Sequence, residues 1–234
     1  MMAKHDSPLM TVCTVCNLGL IPFDKTMLYE QALLRLRHNQ LVEDMLLFLE
    51  HPPTVTLGKN GNPKNVLLSL EELTKRGIAF FQSDRGGDAT FNCPGQLIIH
   101  PIINLGRIRP SDYVSKMEEI ALRVVKCFNV PAERIEHPGV YVNRKQIAAI
   151  GLKIRSSVSI HGLSLNVNPD LSLFNVIHLC GIEDCMATSI AQELGFMITI
   201  AEVIPKVEQQ FSNIFGFKLK RITPQQLEQL CFSS

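Results

Sequence analysis

The chain has no apolar run long enough to cross a bilayer. Its longest, such as Met45 to Leu49, falls far short of the ~20 residues a spanning helix needs. It also lacks a strong charge bias: the formal net charge is +1, and no basic stripe with interleaved aromatics is present. The electrostatic footprint of a nucleic-acid binder is therefore missing. The segment Met1 to Pro8 is mostly polar, with neither a secretory apolar core nor an arginine-rich transit pattern. The expected location is cytoplasmic, with a mitochondrial one open if the source is eukaryotic. Gly86-Gly87 is not followed by Gly-Lys-Ser/Thr, so there is no P-loop. No internal repeat, low-complexity segment or domain-sized linker interrupts the chain.

Cysteine is not scarce, but its count is odd: seven, at 13, 16, 93, 127, 180, 185 and 231. Scattered cysteines set in apolar patterns argue for free thiols in a reducing compartment rather than a disulfide framework. Cys13 and Cys16 form a Cys-x-x-Cys within a strand-like run, where residues three apart point to opposite faces. No second pair stands at zinc-site spacing, so the pair reads as structural and no metal is expected.

What is present is a core-forming chain of 234 residues, 46% of them hydrophobic. That length fits one domain, 1–234, with a core from about 12 to 215, a short N-terminal extension and a C-terminal tail. Strand composition marks Val12 to Leu20, Asp44 to Glu50, Thr54 to Gly58, Ile78 to Gln82 and Gln96 to Ile103. Gly139 to Val142, Gln146 to Ile154 and Val158 to Val167 follow, the last two as a hairpin. Asp24 is expected to cap a helix that shares Leu28, Ala32 and Leu36 on one face, and Ser111 a second, with Val114, Met117, Ala121, Val124 and Phe128. A helix from Leu70 to Arg76 stops at Gly77. A closing helix carries Ile200, Val203, Ile204, Val207, Phe211 and Ile214. Strands outnumber helices and run consecutively near the end. The expected class is α+β: a mixed sheet with packed helices.

Four segments carry chemistry. Arg85-Gly86-Gly87 after a strand allows close backbone approach to a ligand, with Arg85 meeting an anionic or carbonyl group; a simple turn is the plainer reading. Gly151, within Ala149-Ile150-Gly151, marks close approach to a strand or a bulge. His161-Gly162 faces it across the hairpin and reads as a pocket wall or as a satisfied structural histidine. Cys180, in His178-Leu179-Cys180-Gly181-Ile182, is a small core residue by base rate. Gly181 beside it clears space around the thiol, and the N–H groups of the turn suit an oxyanion. Cys180 is therefore the candidate nucleophile. Cys185 lacks such flanks and is left as structural.

Read together, these segments resemble the lipoyl(octanoyl) transferase family. The match runs through Glu50 to Gly58; Arg85 to Phe91 with Pro94 to Leu97; Gly139 to Val142 with Ile147 to Gly151; and His161 to Asp170 leading into Cys180-Gly181-Ile182. The resemblance implies a fold similar to the catalytic domains of biotin and lipoate protein ligases. It also implies an acyltransferase reaction in lipoate biosynthesis and protein lipoylation. An octanoyl group leaves octanoyl-acyl carrier protein, forms a thioester on Cys180, and passes to a lysine of a lipoyl domain, in 2-oxoacid dehydrogenases or the glycine cleavage H protein. No cofactor is implied, because the donor is already activated. Substrate contacts map to Arg85, Gly86, Gly87, Asp88, Ala89, Thr90, Phe91 and Asn92, to Ala149, Ile150 and Gly151, and to His161, Gly162, Leu163 and Ser164.

The chain departs from the family in three places. The lysine that lowers the thiol pKa is Gln146 here, with Lys145 one residue early. Strand alternation puts Gln146 on one face with Ala148, Ile150 and Leu152, and Lys145 on the other. The family's Tyr-His-Gly-Pro is Phe91-Asn92-Cys93-Pro94, and the proline before the cysteine is Leu179. Three remedies for the missing lysine are open: a bulge at Asn143-Arg144 that turns Lys145 inward, His161 or His178 as base, or a weakly active or non-catalytic acyl-binding relative. An ATP-dependent lipoate or biotin ligase is a further alternative.

Overall fold

The computed structural model describes residues 11–232. Its main sheet has seven strands, in the order β10-β1-β2-β6-β9-β8-β7. In chain order these are β1 (Thr11–Leu20), β2 (Asp44–Glu50), β6 (Gln96–Ile102), β7 (Val140–Val142), β8 (Lys145–Arg155), β9 (Val158–Asn166) and β10 (Phe217–Arg221). β1 runs parallel to both neighbours, and the other pairs are antiparallel. A second sheet joins β3 (Thr54–Leu57) to β4 (Ala79–Gln82) and β5 (Ala89–Asn92). The expected α+β mixed-sheet class is what the chain adopts.

Helices cover both faces of the large sheet. α3 (Pro110–Lys126) and α5 (Ile200–Phe215) close one face over Val15, Phe48, Leu97 and Leu165. α1 (Phe23–His38) and α6 (Pro224–Phe232) close the other over Cys16, Leu47, Ile98 and Ile160. Cys13 packs on the first face and Cys16 on the second, as strand alternation requires. α2 (Leu70–Lys75) buries Leu73 beneath the small sheet, and α4 (Ile190–Leu194) anchors Ile190 in the main core. β10 and α6 lie beyond residue 215, where the sequence reading placed only a tail; Leu227 and Cys231 are buried there.

Two helix starts differ from expectation. α1 begins after Pro22, with Asp24 inside its first turn, and α3 after Arg109, with Pro110 at its first position. The buried face of α1 agrees in part: Ala32 is buried and Leu36 packs against the core, but Leu28 is 56% exposed, and Phe23, Thr26, Glu30 and Leu33 also point inward. The inward face therefore includes a carboxylate, and the reason lies in the strands beneath it.

Candidate active site

Cys180 sits in the single turn Leu179–Gly181 with left-handed backbone angles, φ 53° and ψ 24°. A non-glycine residue there carries about 1–2 kcal/mol of strain, a feature found at functional sites more than elsewhere. Gly181 follows at φ 77°. The amides of Gly181 and Ile182 donate to the carbonyls of His178 and Leu179. Among the described residues, the amide of Cys180 itself has no acceptor. The amide of Leu179 is likewise without an acceptor among the described residues, so this turn keeps two donors of the kind that can stabilise an oxyanion.

Gln146 meets the thiol. Its Nε2 donates to Sγ at 3.3 Å and to the Tyr141 hydroxyl at 3.2 Å, and that hydroxyl donates to the carbonyl of Pro138. The register explains how Gln146 arrives there. Tyr141 pairs with Gln146 but Val140 pairs with Ala148, so Ile147 is bulged out. The bulge breaks strict alternation: Ile147 and Ala148 both enter the core, and Gln146 joins Ala149 and Ser164 on one cavity wall. The face expected for Gln146, with Ala148, is corrected accordingly. Asn143 and Arg144 are not a bulge but a two-residue turn with φ of 49° and 63°. Lys145 stays in register against Val142 at the strand end and makes no side-chain hydrogen bond or ion pair among the described residues.

Burial pushes the Cys180 thiol up from its ordinary value; the Gln146 hydrogen bond and the Arg85 charge oppose this, and Asp88 adds to it. The cation that acts on the sulfur is therefore Arg85, not Lys145. The Arg85 side chain is buried, at 6% exposure, and its own pKa is lowered to about 10 by burial. Its guanidinium does not wait for a ligand. It donates to the carbonyls of Thr56, Gly86 and Asp88 and to the hydroxyls of Thr56 and Thr90. Arg85 thus pins its own loop to the small sheet while leaving its charge near the sulfur.

The thiol opens into a cleft of about 270 Å³ lined by Gly86, Gly87, Asp88, Ile150, Gly151, Leu152 and Ile182, with Val114, His137 and Pro138. Its size lies just below the ~300–1,000 Å³ of ordinary small-ligand sites, and its wall is largely aliphatic. The Arg85 loop covers the part of β8 that β7 leaves unpaired, through a hydrogen bond from Gly86 N to the carbonyl of Leu152.

The family model for the lipoyl protein ligase A/B catalytic domain matches residues 23–212. An octanoyltransferase of Chloroflexus aurantiacus is 42% identical over 216 residues, covering 89% of this chain and 96% of its own. One from Koribacter versatilis is 40% identical over 209 residues, covering 86% and 83%. The chain belongs to the octanoyltransferase family. These are acyltransferases of lipoate synthesis. The fold is shared more widely. A lipoate-protein ligase A bound with ATP superposes with a TM-score of 0.78 at 16% identity, covering 94% of this chain and 92% of the other. A biotin protein ligase of Aquifex aeolicus superposes at 0.52 and 12%, covering 87% and 70%.

Within this family member, the sequence candidates fall into two groups. Cys180, Gln146, Gly86, Gly87, Asp88, Ile150 and Gly151 gather around the sulfur and its cleft. Thr90, Asn92, Ala149, His161, Gly162, Leu163 and Ser164 line a second, tight cavity of about 40 Å³, which shares Gly151 with the first. Ala89 is buried in β5, and Phe91 packs against Phe174 with ring centroids 5.3 Å apart. Gly162 opens no space for substrate: a Cβ there would lie 2.1 Å from the carbonyl oxygen of Ile99, so the glycine permits strand contact. His161 does not reach Cys180 as a base. Its ring is held by Glu30 and Asp84 instead. His178 contributes its backbone, donating to the carbonyl of Asn65. Tyr141, Glu30, Asp84 and His100 were missed. Glu30 lies off the apolar stripe of Leu28, Ala32 and Leu36, so only its partners on distant strands reveal it.

No described helix is long and apolar enough to cross a membrane.

Proposed function

We propose that Cys180 carries the octanoyl group as a thioester between two carrier proteins. The observation that supports this is the half-buried thiol on a left-handed turn, hydrogen-bonded to Gln146 and opening into an aliphatic cleft. The Cys180 sulfur attacks the thioester carbonyl of octanoyl-acyl carrier protein. The C–O bond pair moves onto oxygen, faced by the Cys180 amide, and returns as the carrier's thiolate leaves. That thiolate takes up a proton, which balances the one lost by Cys180. Exchange of one thioester for another is near-neutral in energy, so the step reverses readily and needs no cofactor.

In the second half, the deprotonated ε-amine of a lipoyl-domain lysine attacks the enzyme thioester. An amide forms, the C–S bond breaks, and the thiol of Cys180 is restored. Gly86, Gly87, Asp88, Ile150 and Gly151 hold the chain. Arg85 through its charge, and Gln146 through its amide, favour the sulfur's anionic form. The acceptors are lipoyl domains of 2-oxoacid dehydrogenases and the glycine cleavage H protein.

Mixing the protein with octanoyl-acyl carrier protein should add one octanoyl mass to the wild type and none to Cys180→Ser. A mass gained by both or by neither would overturn the assignment. Octanoate binding without transfer to an apo lipoyl domain would select a binding relative. Incorporation of free lipoate with ATP, insensitive to Cys180→Ser, would select a ligase.

A further inference from the structure

His161 is the least ordinary residue of β9. It pairs with Leu152 in a ladder, yet its φ is +56°. The kink turns its amide toward α1, where it donates to Oε1 of Glu30 at 2.6 Å. The ring then runs between two carboxylates: Nδ1 lies 3.1 Å from Oε2 of Glu30, and Nε2 lies 2.9 Å from Oδ1 of Asp84. A neutral imidazole has one N–H, and ionised carboxylates only accept. Contacts at both nitrogens therefore call for the imidazolium. Desolvation alone would lower the pKa of His161, but Glu30 and then Asp84 raise it overall. Burial likewise pushes Glu30 up, and His100 and His161 draw it well below its ordinary value.

Asp84 is the residue before Arg85. Its other oxygen pairs with Lys153 of β8, across the ladder from Ile160. The loop that covers the thiol cleft is thus tied to the β8–β9 hairpin by Asp84 at its start and by Gly86 N on Leu152 O within it. Nothing in the thioester chemistry requires a glutamate buried to 2% exposure on the far side of the sheet. Yet it holds the ring that holds the loop. We propose that Glu30, His161 and Asp84 form a positioning relay that fixes the Asp84–Asp88 loop over the acyl cleft. Glu30 orients and charges His161, His161 fixes Asp84, and Asp84 sets the height of Gly86 and Gly87 above Ile150 and Leu152. These are positioning residues, and the role rests on the reading of that cleft as the acyl site.

Donor atoms of Glu30, His100 and His161 also lie within 4.8 Å of one another, a grouping that suits a metal ion. The relay is preferred because His161 already uses both ring nitrogens. Other titratable groups facing the ring cluster are His100 on β6, 3.0 Å from Glu30 Oε1, His51 beyond it, and Arg85 and Lys153 on the loop side.

The test uses the full chain and three variants: Glu30→Gln, His161→Gln and Asp84→Asn. Hydrogen exchange at residues 84–88 reads the loop, and S-octanoyl-N-acetylcysteamine reads acylation of Cys180 by mass. Iodoacetamide, which needs no acyl pocket, reads the bare thiol. The relay predicts at least tenfold faster exchange in the loop and at least tenfold slower octanoylation through a raised KM. Iodoacetamide alkylation stays within about twofold. Glu30→Gln retains an oxygen for the His161 amide and keeps the test open if His161→Gln unfolds. Loop exchange unchanged in every folded variant would overturn the relay. So would loss of melting temperature with acylation parameters unchanged. Loop loosening of the wild type by a chelator would replace the relay with a metal site. If the wild type takes no octanoyl group, the acyl-site reading fails, and the exchange arm still decides whether the loop is held this way.

Discussion

Nε2 of Gln146 lies 3.3 Å from the sulfur of Cys180, while its second hydrogen reaches the hydroxyl of Tyr141. A neutral amide thus stands where a lysine is expected in the family. It stabilises the thiolate by a hydrogen bond but adds no charge, so burial keeps the thiol above its ordinary value.

Gln146→Lys should therefore lower the thiol pKa by about one unit or more, since an opposite charge at this range shifts a group by roughly 1–3 units. The pH profile of iodoacetamide alkylation reads this directly, with a rate near neutrality about tenfold higher. Lys145→Met should leave the same profile in place, because Lys145 pairs with Val142 at the strand end and, among the described residues, makes no side-chain hydrogen bond to the sulfur. A shift with Lys145→Met and none with Gln146→Lys would reverse the roles assigned to the two residues.

The aliphatic wall of Ile150, Leu152 and Ile182 predicts chain-length discrimination. Each methylene removed from water contributes about 0.8 kcal/mol. Shortening the donor from octanoyl to hexanoyl should raise KM by roughly 15-fold, with the acylation rate at saturation little changed. Equal KM values for the two donors would mean that the chain lies outside the cleft.

Gly162→Ala tests whether that glycine serves the sheet or the substrate. An added Cβ would meet the Ile99 carbonyl oxygen at 2.1 Å and Cδ of Pro101 at 2.6 Å, both in a packed neighbouring strand. The strands would have to separate, at about 1–3 kcal/mol. Urea unfolding should show that loss, with acylation kinetics preserved in the folded fraction. Full stability with reduced acylation would place Gly162 in the substrate pocket after all.

Much of the fold was legible from local pattern. The strands with alternating or continuous apolar runs, and α3 and α5 with their helical stripes, lie where periodicity puts them. Cys180 stands out as a candidate from its glycine neighbour and the blocks around it. What stayed hidden depends on contacts between distant segments. The bulge at Ile147, which carries Gln146 to the sulfur, leaves no mark in composition. On α1, Ala32 and Leu36 face the core as their spacing suggests, but Leu28 is exposed, and Glu30 goes inward for two histidines 70 and 131 residues away. Arg85 looked like a ligand contact because its acceptors, on Thr56 and Thr90, come from neighbouring strands of a sheet not legible as such.

His51 offers a pH test of the buried cluster. Its ring donates from Nδ1 to the carbonyl of Ile21 at 2.7 Å and packs edge-on against Phe23. Burial lowers its pKa to about 4, against 6.5 for an ordinary histidine. Between those values the unfolded chain binds a proton that the folded chain refuses, so stability rises with pH across the interval. The contribution is fully present above about 6.5 and is lost as pH falls toward 4, on the order of 3 kcal/mol in all. His161 works in the opposite sense. Its raised pKa gives stability below 6.5 that declines as pH rises through the folded value, so it adds nothing to the acid loss. His51→Gln keeps an N–H for Ile21 and removes the titration. Urea unfolding free energies of wild type and variant should converge as pH drops from 7 to 4.5, the wild type losing about 2 kcal/mol more. Parallel curves would show that His51 is protonated in the folded chain, and the neutral ring assigned to it would be wrong.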